Sequence, residues 1–190
     1  MNRFVKSVVD ECGGLHVFVN CAGLSRWKPV DEIDKDFVEE IIEINVLGTL
    51  WGCAAAAAVL PRDGCVVNVS SLAGKRGSAN NSVYCAAKFA VNGITQALAK
   101  ELGPRGIRVN AVCPVYVKTG RLLSGLSEKA SPAQGQGVED YLSAFASTQT
   151  ALGRLPTTHE VAEVVSFLSS SAASAVTGQC INVDCGTLPQ

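Results

Sequence analysis

The chain has 190 residues, of which 47% are hydrophobic and 17% charged, enough apolar material for one folded domain and too much for a disordered one. Its formal net charge of -1 gives no electrostatic case for nucleic acid or an anionic membrane surface. Eight cysteines are scattered through apolar runs without a C-x-x-C pair, and His16 and His159 stand apart, so buried reduced thiols in a cytoplasmic protein are expected and no metal site.

In chain order, residues 3–11 read as an amphipathic helix stopped by Gly13 and Gly14. Residues 15–20 (LHVFVN) form a buried strand, and Cys21, Ala22 and Gly23 turn the chain. Asp34 is placed to cap a long helix with Phe37, Ile41 and Ile44 on one face, running through an alanine block to Pro61. Its apolar part, residues 46–60, is too short for a bilayer, so it is expected in the core or a subunit interface. Residues 65–69 form a second strand ending at Ser70 and Ser71. After a Gly/Asn/Ser loop, Ser82 is expected to cap a helix that lasts to Leu102 and stops at Gly103-Pro104. Residues 107–112 are a third strand, 117–154 an irregular stretch with short helical patches, 158–168 an amphipathic helix, and 179–184 the last strand. Strands and helices alternate, and the strands are near-continuous apolar runs. This predicts an α/β fold with a parallel sheet covered on both faces, binding ligands at the carboxyl ends of its strands.

The polar and glycine residues gather at those strand ends. Tyr84 and Lys88 are one helical turn apart, so they share a face. A phenol has an ordinary pKa near 10, and a neighbouring ammonium is expected to lower it toward useful proton transfer. Ser71 ends a strand 13 residues before Tyr84, where its hydroxyl can meet a substrate oxygen. Asn68-Val69-Ser70 matches a glycosylation sequon but lies in a core strand, and is discounted.

VNVSS followed by this Tyr84–Lys88 pair resembles the short-chain dehydrogenase/reductase family, in its 3-oxoacyl carrier-protein reductase-like branch. Asn20-Cys21-Ala22-Gly23 is similar to the family's N-N-A-G turn, and Asn45 in IEINVLG to the helix asparagine of its catalytic tetrad. Cys113-Pro114-Val115-Tyr116-Val117-Lys118-Thr119 resembles N-P-G-x-V-x-T, with Val115 in place of the glycine. Val176 to Gln179 and Val183 to Gly186 resemble the terminal T-G-Q and V-D-G-G, with Cys185 in place of a glycine. The resemblance implies a Rossmann-type doubly wound sheet over residues 1–190, with 120–154 as a substrate lid. It implies interconversion of a carbonyl and a secondary alcohol with NAD or NADP, which the residues do not distinguish. Tyr84 would be the general acid/base, Lys88 would hold the nicotinamide ribose, Ser71 the substrate carbonyl, and Asn45 a relay water. Asn20, Ala22 and Gly23 would pass beside the adenosine ribose, and Pro114, Val117 and Thr119 beside the nicotinamide. It also implies a homodimer or homotetramer acting on a small-molecule substrate.

The family opens with a strand, a T-G-x-x-x-G-x-G loop and a helix that receive the pyrophosphate. Nothing ahead of Leu15 supplies these, and Thr119 to Gly125 is a false match lying after the third strand. An N-terminally shortened member is therefore expected, with the first readable strand left as an exposed apolar edge. A fragment, a natural shortened form acting non-catalytically through oligomerisation, and a sheet completed by another chain are the three origins consistent with this. Leu122, Leu123, Leu126, Tyr141, Leu142 and Phe145 predict an apolar or mixed substrate pocket. A 3-oxoacyl thioester, a sugar, and a steroid or other secondary alcohol remain open as substrates.

Overall fold

In the computed structural model, which describes residues 1–189, the opening amphipathic segment forms α1 (Asn2–Cys12). Gly13 ends it in a left-handed conformation (φ 76°), its N–H bonding to Val9 O, a geometry that costs a side-chain-free residue nothing. β1 (Val17–Asn20) is shorter than the apolar run that predicts it. Asp34 accepts from Phe37 N at 2.8 Å and starts α2 (Lys35–Ile42). The helix then widens into a π turn over Glu43–Leu47 and resumes as α3 (Gly48–Ala57).

β2 (Cys65–Val69), α4 (Ser82–Leu102) and β3 (Arg108–Pro114) follow. α5 (Gly120–Leu126) and α6 (Val138–Gln149) occupy the segment expected to be irregular. α6 escapes a periodicity reading because Ser, Ala and Gln dilute its apolar stripe down to Leu142 and Ala146. α7 (Thr158–Ser169) is opened by a capping box between Thr157 and Glu160, and β4 (Cys180–Val183) closes the chain.

The four strands form one parallel sheet in the order β1-β2-β3-β4. Alternation along β2 sorts its side chains between two layers. Val66 packs with Phe18, Cys53, Ala99 and Val109 beneath α3 and α4, while Cys65 and Val67 pack with Val112 and Leu168 beneath α7. β1 is one edge of the sheet, and Val17 and Val19, on the same face as Cys65 and Val67, remain 38% and 40% exposed because α7 does not extend over β1, as the edge expectation requires.

Three expectations change. Lys35–Ala57 is continuous over 23 residues, long and apolar enough to cross a membrane, so length does not exclude a span. What identifies it as a core helix is packing: Gly52, Cys53, Ala55 and Ala56 are buried, Cys53 and the alanines against the sheet. Ser82 does not cap α4. It is the first helical residue, and Asn81 holds the cap position without a side-chain capping bond. Of the eight free cysteines, only Cys53, Cys65, Cys85 and Cys113 are buried, whereas Cys12 and Cys21 are exposed.

Candidate active site

The carboxyl ends of β1, β2 and β3 converge on the first two turns of α4. Just past the end of β2 comes Ser70, whose N–H bonds to Val112 O at 2.8 Å and whose hydroxyl donates to Lys88 O at 3.3 Å. Ser70 thus does more than end the strand: it fixes α4 against the sheet. Ser71 caps a short turn, accepting from Ala73 N at 3.1 Å, and its side chain lines a cavity of ≈ 130 Å³. Tyr84, Val117, Trp27 and Phe145 share that cavity. A second cavity of ≈ 210 Å³ is lined by Gly23, Lys88, Thr119, Arg121 and Cys21, and again by Tyr84. The tyrosine is therefore common to both.

Lys88 is 4% exposed, with its ammonium donating to Val69 O at 3.0 Å. Burial pulls its pKa down from 10.5 to about 8, with Cys113 and Cys21 pulling the other way. The Tyr84 ring keeps some accessible surface, yet loss of hydration pushes its phenol up to about 12. The Ser71 hydroxyl lowers it and Cys85 raises it further. This corrects the expectation that Lys88 depresses the phenol. The ammonium lies 5.6 Å from the ring centroid and is directed to the Val69 carbonyl instead.

Asn45 is fully buried inside the π turn. Its amide donates to Leu24 O at 2.8 Å and Ile41 O at 2.9 Å and accepts from Leu24 N at 3.2 Å, so it clamps the chain just after the Cys21–Gly23 turn. Its backbone carbonyl accepts from Thr49 Oγ1 at 2.8 Å. Gly23 sits against both polar groups: a Cβ there would lie 3.2 Å from Asn45 Oδ1 and 3.4 Å from Lys88 Nζ. Arg121 reaches across to donate to Gly23 O at 3.0 Å, and Thr119 caps α5 by accepting from Leu122 N at 3.3 Å. The Thr119–Gly125 stretch is thus a capped helix start.

Ser71, Tyr84, Lys88, Gly23, Val117 and Thr119 all line one cavity or the other, and Asn45 reaches the site through the Leu24 backbone. Asn45 itself lines neither cavity, and three further expected residues line neither. Asn20 turns inward, its amide donating to Asn68 Oδ1 at 2.9 Å. Ala22 is an exposed turn residue and Pro114 is the buried last residue of β3. Sequence reasoning missed Arg121, Trp27 and Asn81. For Asn81 a signal existed, since asparagine is as strong a capping residue as the serine after it.

A parallel sheet covered on both faces, with a serine, tyrosine and lysine gathered at its carboxyl ends, defines the class of nicotinamide-dependent oxidoreductases. Residues 1–187 match a family model described as enoyl-(acyl carrier protein) reductase. The chain is 37% identical over 188 residues to diacetyl reductase [(S)-acetoin forming] of Staphylococcus aureus, covering 96% of this chain and 71% of that protein. It is 35% identical over 187 residues to L-2,3-butanediol dehydrogenase of Corynebacterium glutamicum, covering 97% and 72%. Among solved structures, sorbitol-6-phosphate 2-dehydrogenase SrlD from Erwinia amylovora superposes with a TM-score of 0.92 at 26% identity, over 100% of this chain and 75% of that one. Carveol dehydrogenase from Mycobacterium avium, in complex with NAD, gives 0.90 at 28% over 98% and 69%. The chain belongs to the short-chain dehydrogenase/reductase family.

Proposed function

We propose that this protein interconverts a small carbonyl compound and the matching secondary alcohol with NAD or NADP, Tyr84 serving as the general acid and base. The observation that carries the reading is the position of Tyr84 in the wall common to both cavities, with Ser71 in one and Lys88 in the other. A phenol so placed touches a substrate and a cofactor at once. The relatives' names, a diacetyl reductase and a butanediol dehydrogenase, support a small substrate.

The residues fit a nicotinamide ribose. The buried Lys88 ammonium spends one N–H on Val69 O and keeps two, beside a cavity where Gly23 offers bare backbone. Among the described residues no strand runs through a glycine-rich turn into a helix, so the pyrophosphate lacks its usual cradle. When bound, the nicotinamide supplies the hydride for reduction or takes it in oxidation.

In reduction, Ser71 donates a hydrogen bond to the substrate oxygen and fixes its place beside Tyr84. The Tyr84 hydroxyl then gives its proton to that oxygen as charge develops there, and the carbonyl becomes an alcohol. Tyr84 then recovers its proton from solvent by way of the Lys88 ammonium, which would also hold the nicotinamide ribose. At neutral pH the phenol is protonated, ready to act as the acid. Oxidation needs the reverse, and for that the phenol must be stabilised as phenolate by an ammonium turned toward it.

The test is Tyr84→Phe in a chain preceded by the family's phosphate-binding segment, assayed with a small ketone and NADH or NADPH. Removing one positioned acid typically costs ~10²- to 10⁴-fold in rate. Turnover is expected to fall by that range while the melting temperature holds. Retention of most of kcat would sink the assignment.

A further inference from the structure

We infer that Arg76 is a specificity-determining residue whose guanidinium binds a carboxylate carried by the substrate, so that the preferred substrates are short oxo acids and the matching hydroxy acids. The inference rests on the carbonyl–alcohol reading above. Arg76 is half-buried and lines the same ≈ 130 Å³ cavity as Ser71 and Tyr84. Among the described residues it has no carboxylate partner, its guanidinium donates no hydrogen bond, and it lies over no aromatic ring. Every other arginine either donates to a carboxylate or a carbonyl or lies exposed. A guanidinium taken partly out of water with its N–H groups unspent is set to take a partner from the cavity.

The backbone fixes where this cation stands. Ser71 caps the short turn over Leu72–Gly74, and Arg76 N donates to Leu72 O at 3.2 Å. The Arg76 carbonyl accepts from the Cys85 thiol at 3.9 Å, and Cys85 follows Tyr84 in α4. One short segment therefore carries the serine at its start and the arginine at its end, tied to the helix of the tyrosine. The guanidinium is felt at Tyr116, in the same wall. Burial pushes that phenol up, its bond with Tyr141 pushes it further, and Arg76 draws it down.

The composition of the cavity selects the anion. Among the described residues Arg76 is the only charged one in its wall, so no carboxylate of the protein competes for it there. A guanidinium meets a carboxylate in two parallel N–H···O bonds, and one such cation balances one negative charge. A phosphate dianion would call for a second cation, which this wall lacks. An oxo acid whose carbonyl meets Ser71 and Tyr84 thus has its carboxylate met by Arg76 within the same small space.

Saturation-transfer NMR on the chain, with 4-oxopentanoate, its neutral isostere 4-oxopentanamide and dihydroxyacetone phosphate as probes, tests this. 4-Oxopentanoate should bind about tenfold to a hundredfold more tightly than the amide, the worth of a charge-assisted hydrogen bond, and more tightly than the phosphate ester. The margin over the amide should narrow as salt rises, because it is electrostatic. Arg76→Met should bring acid and amide together while the melting temperature holds. Arg76→Lys, which keeps the charge and loses the planar fork, should retain part of the preference. Equal affinities in the unmodified chain, no binding of any probe, tighter binding of dihydroxyacetone phosphate, or a preference for the acid that survives Arg76→Met would each overturn the proposal. If Arg76→Met does not fold, Arg76→Gln decides in its place. Binding is read without turnover, so a failure of the Tyr84 assignment and a failure here are separate results.

Discussion

Lys88 shows how a buried ammonium is held against its own preference. It is a lysine buried to 4% exposure with no carboxylate bonded to it, and its pKa falls from 10.5 to about 8. For a base with a depressed folded-state pKa, the native state binds fewer protons than the unfolded one between those two values. Stability therefore rises with pH from about 8 to 10.5, and below 8 the burial cost is fully present. That cost is about 3 kcal/mol, at ~1.4 kcal/mol for each tenfold change in the protonation equilibrium. Lys88→Met is thus expected to raise Tm at pH 7, by somewhat less than the full cost because the bond to Val69 O is lost. The gain should shrink on approach to pH 10.5, and cofactor affinity and rate should both fall. Denaturation at pH 7 and pH 10 checks it; equal stability changes at both values would contradict the argument. Ser71, Tyr84 and Lys88 were legible in the sequence because a strand end and a single helical turn fix their spacing. Arg121 was not, because its partner Gly23 O lies across the fold.

At the scale of elements, the π turn over Glu43–Leu47 holds Asn45 where it ties down Leu24, part of the wall of the second cavity. Periodicity predicts one helix from Asp34 to about Pro61, and the structure has one continuous helix over Lys35–Ala57. The widening at Asn45 is invisible to it, because the extra residue is accommodated by tertiary bonds to Leu24 and not by any local motif. Asn45→Ala leaves Leu24 N, Leu24 O and Ile41 O without these partners. At ~1–3 kcal/mol for each buried group left unpaired, about 3 kcal/mol or more of stability should go. Chemical denaturation measures this, and a loss under 1 kcal/mol would show that the segment re-forms as a plain α-helix.

For the whole molecule, the strand alternation and both helical layers could be read from the apolar runs, while α5, α6 and the short β1 could not. Two expectations belong at this scale. Trp51 and Phe89 are 58% and 50% exposed on α3 and α4, with Leu47 exposed in the π turn before α3 and Val59 in the turn after it. A dimer or tetramer burying these helices is expected, and Trp51→Glu should shift the population toward monomer in light scattering. A stable monomer of the unmodified protein at micromolar concentration would count against it. The second concerns cofactor affinity. Each missing charge-assisted bond to the pyrophosphate removes roughly 1.5–3 kcal/mol, and ~1.4 kcal/mol is a factor of ten. The 190-residue chain alone should therefore bind NADH and NADPH well outside the micromolar range. Saturation at low micromolar concentration by fluorescence titration would refute this.

The inward turn of Asn20 has a consequence for how the sheet is assembled. β1 pairs with β2 over four residues, Val17 with Cys65 through Asn20 with Asn68. Parallel strands have no hairpin to set their alignment, and a run of valines accepts a shifted partner almost as readily as the correct one. Here the two amides meet at 2.9 Å, and Asn68 passes the contact on to Thr95 of α4 at 2.9 Å. Sliding β1 by one residue would point the Asn20 amide to the opposite face, away from Asn68, and leave a buried polar group stranded. The pair therefore acts as a dowel between two otherwise interchangeable planks. It also fastens the edge strand to α4, the helix that carries Tyr84 and Lys88, so the Gly23 turn and these two side chains are aligned by the same pin.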